Sequence, residues 1–385
     1  MFFLTKIKKF SYNNNMNEEN LSILKLVLAA DIGPTRMHRL LLAFGSARNV
    51  FEASKAELLT VEGISDKIAE AIILIKDSDK AEKELTLAKN NGIELIFFNE
   101  AKYPKILKDY DDMPIILYVK GTFIEQDLNS ISIVGSRKAT NYGKTATSEF
   151  SGYFAKRGVT IVSGLARGID TEAHIAAIQS KGRTIAVLGN GLLVNYPPEN
   201  TILQVKIPEN GAVISEYPLT KAPDKSSFPR RNRIIAAFSK ATLVIEAEQQ
   251  SGALITARCA AEYGKDVFAV PGSIHSDFSK GTNRLIKDGA IPALSPEDMA
   301  SQMPYLPEET KVETEISQSE SPESTLDETE NAVLDFISKN DEGVHADLIA
   351  QELNIDISQV AIIILKLEVS GLIRTMPGQI YVRVR

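Results

Sequence analysis

Between residues 131 and 170, two apolar segments each run into a turn of small residues that carries an arginine. The first turn reads Gly135-Ser136-Arg137 and the second Ser163-Gly164-Leu165-Ala166-Arg167-Gly168-Ile169-Asp170. Glycine lets a ligand approach the main chain, serine donates a hydrogen bond, and arginine supplies a forked cation that matches phosphate geometry. A third basic group, Phe228-Pro229-Arg230-Arg231-Asn232-Arg233, lies downstream, with Lys225 just ahead of it. An aromatic ring among cations suits an unpaired nucleic-acid strand, because a base stacks on the ring for about 1–3 kcal/mol while the cations hold the backbone. Ser251 and Gly252 open an expected helix and add amides that attract an anion. Together these residues suggest a groove for a polyanion. Each also has a plainer reading: a tight turn whose arginine pairs with a carboxylate, or Phe228 filling the core while the arginines form salt bridges.

Other chemistries have less support. Gly143-Lys144-Thr145 resembles the end of a P-loop, but Lys138 stands where that signature needs glycine, and the segment reads as helix. Gly189-Asn190-Gly191 lacks the third glycine of a dinucleotide fingerprint, Val194 taking its place, so no NAD or FAD is implied. No paired carboxylates or nucleophile–base arrangement stands out. Asp170 and His174 are four residues apart on one helical face, yet a first-turn aspartate more often stabilises a helix start, and catalysis stays unassigned. His38, His174, His275 and His345 are scattered, and the single Cys259 excludes an internal disulfide framework. With no zinc-site spacing, this fits a reducing cytoplasm, and no metal or cofactor is expected.

The chain has 385 residues, 44% of them apolar, and a net charge of −7, which argues against general adhesion to nucleic acid. Phosphate binding must therefore rest on a local basic patch. From 93 to 298 strands and helices alternate, with strands expected at 93–98, 116–119, 131–134, 159–162, 184–188, 212–215, 241–246 and 266–270. The later ones are continuous apolar runs, as in a parallel sheet covered on both faces. The fold class is thus α/β, a Rossmann-like doubly wound and mostly parallel sheet, with the arginine turns on the carboxyl edge where such sheets bind ligands.

Residues 17–80 read as helical, broken at Asp31-Ile32-Gly33-Pro34 and at Val61-Glu62-Gly63-Ile64-Ser65. The pattern resembles a tandem helix-hairpin-helix (SAM-like) domain, in which a glycine hairpin offers amides to a DNA phosphate; a bundle used only for protein contacts is the alternative. Residues 1–16 are expected to form a disordered extension with Met16 as a possible start, and Met1-Phe2-Phe3-Leu4 is too short for a signal-peptide core. Residues 299–326, rich in Glu, Ser, Thr and Pro, read as an acidic flexible linker. In 327–385 three helices and a β-hairpin make a winged helix. No apolar run reaches membrane-spanning length.

Further motifs join those above in a fixed order: Tyr103-Pro104, Pro114 with Leu117-Tyr118, Ala173-His174, Ser215-Glu216-Tyr217-Pro218, Ser251-Gly252-Ala253-Leu254-Ile255-Thr256-Ala257, Val270-Pro271-Gly272 and Gly281-Thr282-Asn283. As a set they closely resemble the bacterial DNA processing protein DprA (Smf) family over about residues 97 to 295. The resemblance implies a non-enzymatic protein that binds single-stranded DNA without regard to sequence, forms homodimers, displaces single-strand binding protein and loads the RecA recombinase during transformation. Carried over by position, Gly135, Ser136, Arg137, Ser163, Gly164, Lys225, Phe228, Arg231, Asn232 and Gly252 would line the strand channel. Asp224-Lys225-Ser226-Ser227 departs from the small or proline-rich stretch usual there. The direct reading of the residues adds Arg167, Arg230, Arg233 and Ser251.

Two rivals belong to other classes. LOG-type nucleotide phosphoribohydrolases share a similar phosphate-binding sheet but depend on Pro-Gly-Gly-x-Gly-Thr-x-x-Glu, and residues 249–259 have neither the double glycine nor that glutamate. A winged-helix transcription regulator would read duplex DNA with residues 357–370, which are poor in arginine and rich in apolar side chains. Such a helix reads base edges poorly.

Overall fold

The computed structural model describes residues 17–29, 32–304, 306, 326–340, 343–376 and 380–384. The extension 1–16 with Met16, Asp31 of the first helical break, residues 307–325 of the acidic segment, and Gly378 and Gln379 of the expected hairpin lie outside the described residues.

The chain divides into two compact units. The smaller, helical one is described from Asn17 to Leu87, together with 114–116. Its helices are α1 (Glu18–Leu28), α2 (Pro34–Phe44), α3 (Ala47–Glu52), α4 (Lys55–Leu58) and α5 (Asp66–Ile75), followed by α6 (Lys80–Asn90). Side-chain caps start several of them: Asn17 accepts from the Glu19 amide, Ser46 from Asn49, and Ser54 with Glu57 forms a capping box. Leu24, Leu26, Leu40, Ile68 and Ile72 fill the interior. The second expected hairpin is present, with Gly63 at φ +86°. Arg36 Nε donates to the Gly63 carbonyl at 2.9 Å and Arg39 Nη1 to that of Glu62 at 3.1 Å, so α2 holds the turn in place.

In the larger unit nine strands form one sheet: β1 (Glu94–Phe97), β2 (Ile116–Gly121), β3 (Ser130–Gly135), β4 (Thr160–Ser163), β5 (Thr184–Leu188), β6 (Gly211–Ser215), β7 (Ala241–Ile245), β8 (Asp266–Ala269) and β9 (Ile291–Pro292). Their order is β1-β2-β6-β5-β4-β3-β7-β8-β9. Pairings from β6 through to β9 are parallel, while β2 runs antiparallel to β6. Between the strands lie α7 (Asn141–Lys156), α8 (Ile169–Gln179), α9 (Thr201–Lys206), α10 (Ser227–Phe238), α11 (Ala253–Glu262) and α12 (Lys280–Lys287), and α13 (Pro296–Ser301) follows β9.

Alternate strand residues supply two cores. Ile131, Ile133, Ile161, Leu243 and Ile245 pack with Phe150 and Phe154 of α7 and Ile169 and Ala173 of α8. Val134, Val162, Ile185, Val187 and Val244 pack with Ile234, Ile235 and Phe238 of α10 and Ala253 and Ala257 of α11. Burial on both faces is why these strands read as unbroken apolar runs. The domain also reaches further than 298: Met299 and Met303 are buried against the α7–α8 face, so the acidic segment begins beyond them rather than at 299.

The carboxy-terminal part forms α14 (Glu328–Ser338), β10 (Val344–His345), α15 (Ala346–Leu353), α16 (Ile357–Val369), β11 (Ile373–Met376) and β12 (Ile380–Arg383), a winged helix around Val333, Leu334, Ile349, Val360 and Leu367. Strand β10 adds a third, antiparallel partner to the expected hairpin. Helix α16 packs on α8, where Gln179 Nε2 donates to the Glu368 carbonyl at 2.7 Å. Burial, and next the Glu368 carboxylate, push Glu172 of α8 up to about 7, while its bond from Ser148 and the Lys144 ammonium, both on α7, pull the other way. A raised carboxyl contributes stability that is complete below its ordinary value and lost as pH rises through 7. The urea midpoint of the full chain should therefore rise relative to that of Glu172→Gln as pH is lowered from about 8 to about 5, whatever the opposing contribution of the buried His174 that both share. An identical pH profile for the variant would contradict the assignment.

Candidate nucleic-acid interface

From β3 the sheet grows through β4, β5 and β6 in one direction and through β7, β8 and β9 in the other, which makes the β3/β7 junction the switch point. The turns leaving these two strands diverge and open a crevice at the carboxyl edge. A groove of about 620 Å³ lies there, bounded by Gly135 to Lys138 after β3, by Glu248 and Gln250 to Ala253 after β7, by Lys225, and by Phe228, Arg231 and Asn232 of α10.

Gly135 is required at the base of this groove. A Cβ there would stand 1.8 Å from the Ile245 carbonyl oxygen and 2.6 Å from the Ile169 side chain. The buried Ser136 turns its hydroxyl to accept the Lys138 amide at 3.1 Å, shaping the loop that carries Arg137. The Arg137 guanidinium sits 5.3 Å from the Phe228 ring centre, and Phe228 in turn lies 5.5 Å from Tyr196 with a 31° tilt. Neither Arg137 nor Lys225 has a carboxylate partner among the described residues, so both cations are open to an incoming anion. At the opposite wall Gly252 caps α11, and the Ser251 hydroxyl accepts the Ala253 amide at 3.3 Å. The amides of Arg137 and Gly252 enter no backbone hydrogen bond among the described residues, leaving both as donors at the rim.

The second expected phosphate seat is different. Two of its amides are occupied from within: the Asp170 carboxylate accepts from Gly164 at 3.1 Å and Ala166 at 3.3 Å, so this aspartate closes the turn. Ser163 is fully buried and donates its hydroxyl to the Ile133 carbonyl at 2.6 Å, beneath the groove rather than in it. Arg167 is exposed and paired through two nitrogens with Glu199, at 2.6 and 3.0 Å. Burial raises the Asp170 carboxyl, opposed first by the Arg231 charge, and burial lowers Arg231 to about 10, so Arg231 stays cationic at neutral pH.

The third basic cluster is helical, and helical spacing divides it. Phe228, Arg231, Asn232 and Ile235 face the groove. Arg233 is buried against Glu216 at 2.5 Å, and Arg230 lies 3.8 Å from the same carboxylate, so both belong to an ion-pair cluster outside the groove lining.

Two contributors escaped the sequence reading. Tyr196 extends the aromatic pair from a connection 32 positions ahead of Phe228, with no motif to mark it. Glu246 adopts φ +53° just after β7, and its carboxylate accepts the Thr140 amide at 2.8 Å as well as the Thr140 hydroxyl. It approaches because residue 143 is glycine, whose Cβ would stand 2.2 Å from Glu246 Oε2. The Gly143-Lys144-Thr145 segment is part of α7, as expected, and its helix start is capped by protein rather than open to phosphate.

A family profile described as DNA recombination-mediator protein A matches residues 94–304. Residues 317–379 match a DprA winged helix domain and residues 25–75 a SAM-like helix-hairpin-helix tandem. The chain is 37% identical over 280 residues to Protein Smf of Synechocystis sp., covering 72% of this chain and 70% of that one. It is 42% identical over 204 residues to the DNA processing protein DprA of Streptococcus pneumoniae, covering 53% and 72%. A crystal structure of DprA from Streptococcus pneumoniae superposes with a TM-score of 0.64 at 32% identity, covering 74% of this chain and 98% of that one.

Proposed function

The chain belongs to the DNA recombination-mediator protein A family, and from that membership and the groove we propose that it binds single-stranded DNA, without regard to sequence, along the switch-point edge of its sheet. The observation that carries this reading is the Arg137–Phe228 contact in a groove that Lys225 also lines, two cations with no carboxylate partner among the described residues beside an aromatic ring. The cations and the rim amides of Arg137 and Gly252 take phosphates, and Phe228 with Tyr196 takes a base. Every base has a π-face, so stacking tolerates any sequence. The protein acts in this reading as a non-enzymatic mediator in the cytoplasm: as a homodimer it displaces single-strand binding protein and hands the strand to the RecA recombinase. No reacting group is assigned, and the hydrolase reading has no support in residues 249–259.

Fluorescence anisotropy with a labelled oligothymidylate tests strand binding. Phe228→Ala should weaken it by about 1–3 kcal/mol, the worth of one stacked base. Poly-purine and poly-pyrimidine strands should differ less than single strand differs from duplex. Preferred, salt-resistant binding to one duplex site would instead favour a winged-helix regulator.

A further inference from the structure

Arg231 lies on the floor of the groove, in the position where a phosphate contact is expected. The residue, however, is only 3% exposed, and its guanidinium is turned into the protein. Nη1 donates to the carbonyl of Gly164, which follows β4, at 2.5 Å and to the carbonyl of Val187 in β5. Nε donates to Asn232 Oδ1 at 3.1 Å, and Asn232 Nδ2 continues to the Gly252 carbonyl at 3.1 Å. We propose that Arg231 is a positioning residue rather than a phosphate contact: with Asp170 and Asn232 it ties the carboxyl ends of β4 and β5 to the turn ahead of α11. It thereby fixes the rim on which Arg137 and Gly252 meet the strand. This inference rests on the strand-binding reading of the groove.

The linkage to Arg137 is continuous. Asp170 holds the amides of Gly164 and Ala166, and the neighbouring Ile169 amide donates to the Ser136 carbonyl at 3.1 Å. Gly168, at φ +78°, approaches so closely that a Cβ would stand 2.3 Å from that carbonyl oxygen. The turns after β3 and β4 are therefore interlocked, and moving one moves Arg137. Residue 164 has to be glycine for the same reason: a Cβ there would lie 2.6 Å from Cζ, Nη1 and Nη2 of Arg231, so the guanidinium rests flat on the turn. Nη2 is the one nitrogen left without a described partner, and phosphate binding through it is the alternative that must be excluded.

Salt dependence separates the two roles, because a single strand held through one phosphate fewer shows a log affinity that is shallower against log salt by about 0.7. Full-length wild type, Arg137→Ala, Arg231→Lys, Gly164→Ala and the double variant Arg137→Ala/Arg231→Lys are titrated with oligothymidylate at several salt concentrations. Urea unfolding identifies conditions in which each is folded. Lysine keeps the charge but cannot bridge two carbonyls and Asn232, and Gly164→Ala leaves every charge in place. Both should bind about tenfold or more weakly with the wild-type slope, while Arg137→Ala becomes shallower by about 0.7. In the Arg137→Ala background, Arg231→Lys should have much less effect than in wild type, a coupling that general destabilisation would not produce. Full affinity in both Arg231→Lys and Gly164→Ala, a shallower slope in either, or additive effects in the double variant would overturn the inference. A wild-type protein that fails to bind the oligonucleotide at all would instead remove the strand-binding reading beneath it.

Discussion

Replacing Arg137 and Lys225 together by alanine is expected to weaken oligothymidylate binding by about a hundredfold to ten-thousandfold. Each cation supplies a hydrogen bond to a charged group, worth about 1.5–3 kcal/mol, and each 1.4 kcal/mol is a factor of ten. The salt dependence should become shallower by about 1.4 in the log–log slope, 0.7 for each phosphate released. Folding should be unaffected, because both side chains stand at the mouth of the groove without carboxylate partners among the described residues. Anisotropy titrations at several salt concentrations read both quantities at once. Unchanged affinity and slope would mean that the strand lies elsewhere.

Asp127→Ala should have the largest effect on stability, about 3–5 kcal/mol, because it leaves a buried guanidinium without its partner. Arg183 Nε and Nη2 each reach the Asp127 carboxylate at 3.0 Å, with the side chains 7% and 5% exposed. The same carboxylate accepts the Ile124 amide at 2.8 Å and the Thr160 hydroxyl at 2.9 Å. This clamp joins the approach to β3 with the starts of β4 and β5, on the amino edge of the sheet, away from the groove. The urea midpoint should therefore fall sharply while the protein that remains folded binds single strand with wild-type affinity. A parallel drop in affinity in the folded variant would show that the two edges are coupled.

The positions of Arg137 and Phe228 at the groove were legible in the sequence because they depend on local context, a turn after an apolar strand and an aromatic among cations. Arg231 and Arg233 belong to that same motif, but their partners come from the turn after β4, from β5 and from Glu216, and no local pattern reveals which cation is already paired. Counting arginines therefore overstated the basic surface, and Arg167 with Glu199 adds to the same overcount. Tyr196 and Glu246 were invisible for the converse reason, since folding alone brings them to Phe228 and Thr140. The strands were readable because burial on both faces makes them continuous apolar runs. Strand β9 was not, because two residues, one of them proline, carry no period. The end of the α/β domain was misplaced because Met299 and Met303 stand alone among polar neighbours, and only their burial shows that they belong to the core.

Co-crystallisation of the full chain with an oligothymidylate addresses the central claim most directly. The account places consecutive phosphates within hydrogen-bonding distance of the Arg137 guanidinium, the Lys225 ammonium and the Gly252 amide, with a base against Phe228. A strand bound on the winged helix or the helical unit, with this groove left empty, would contradict it.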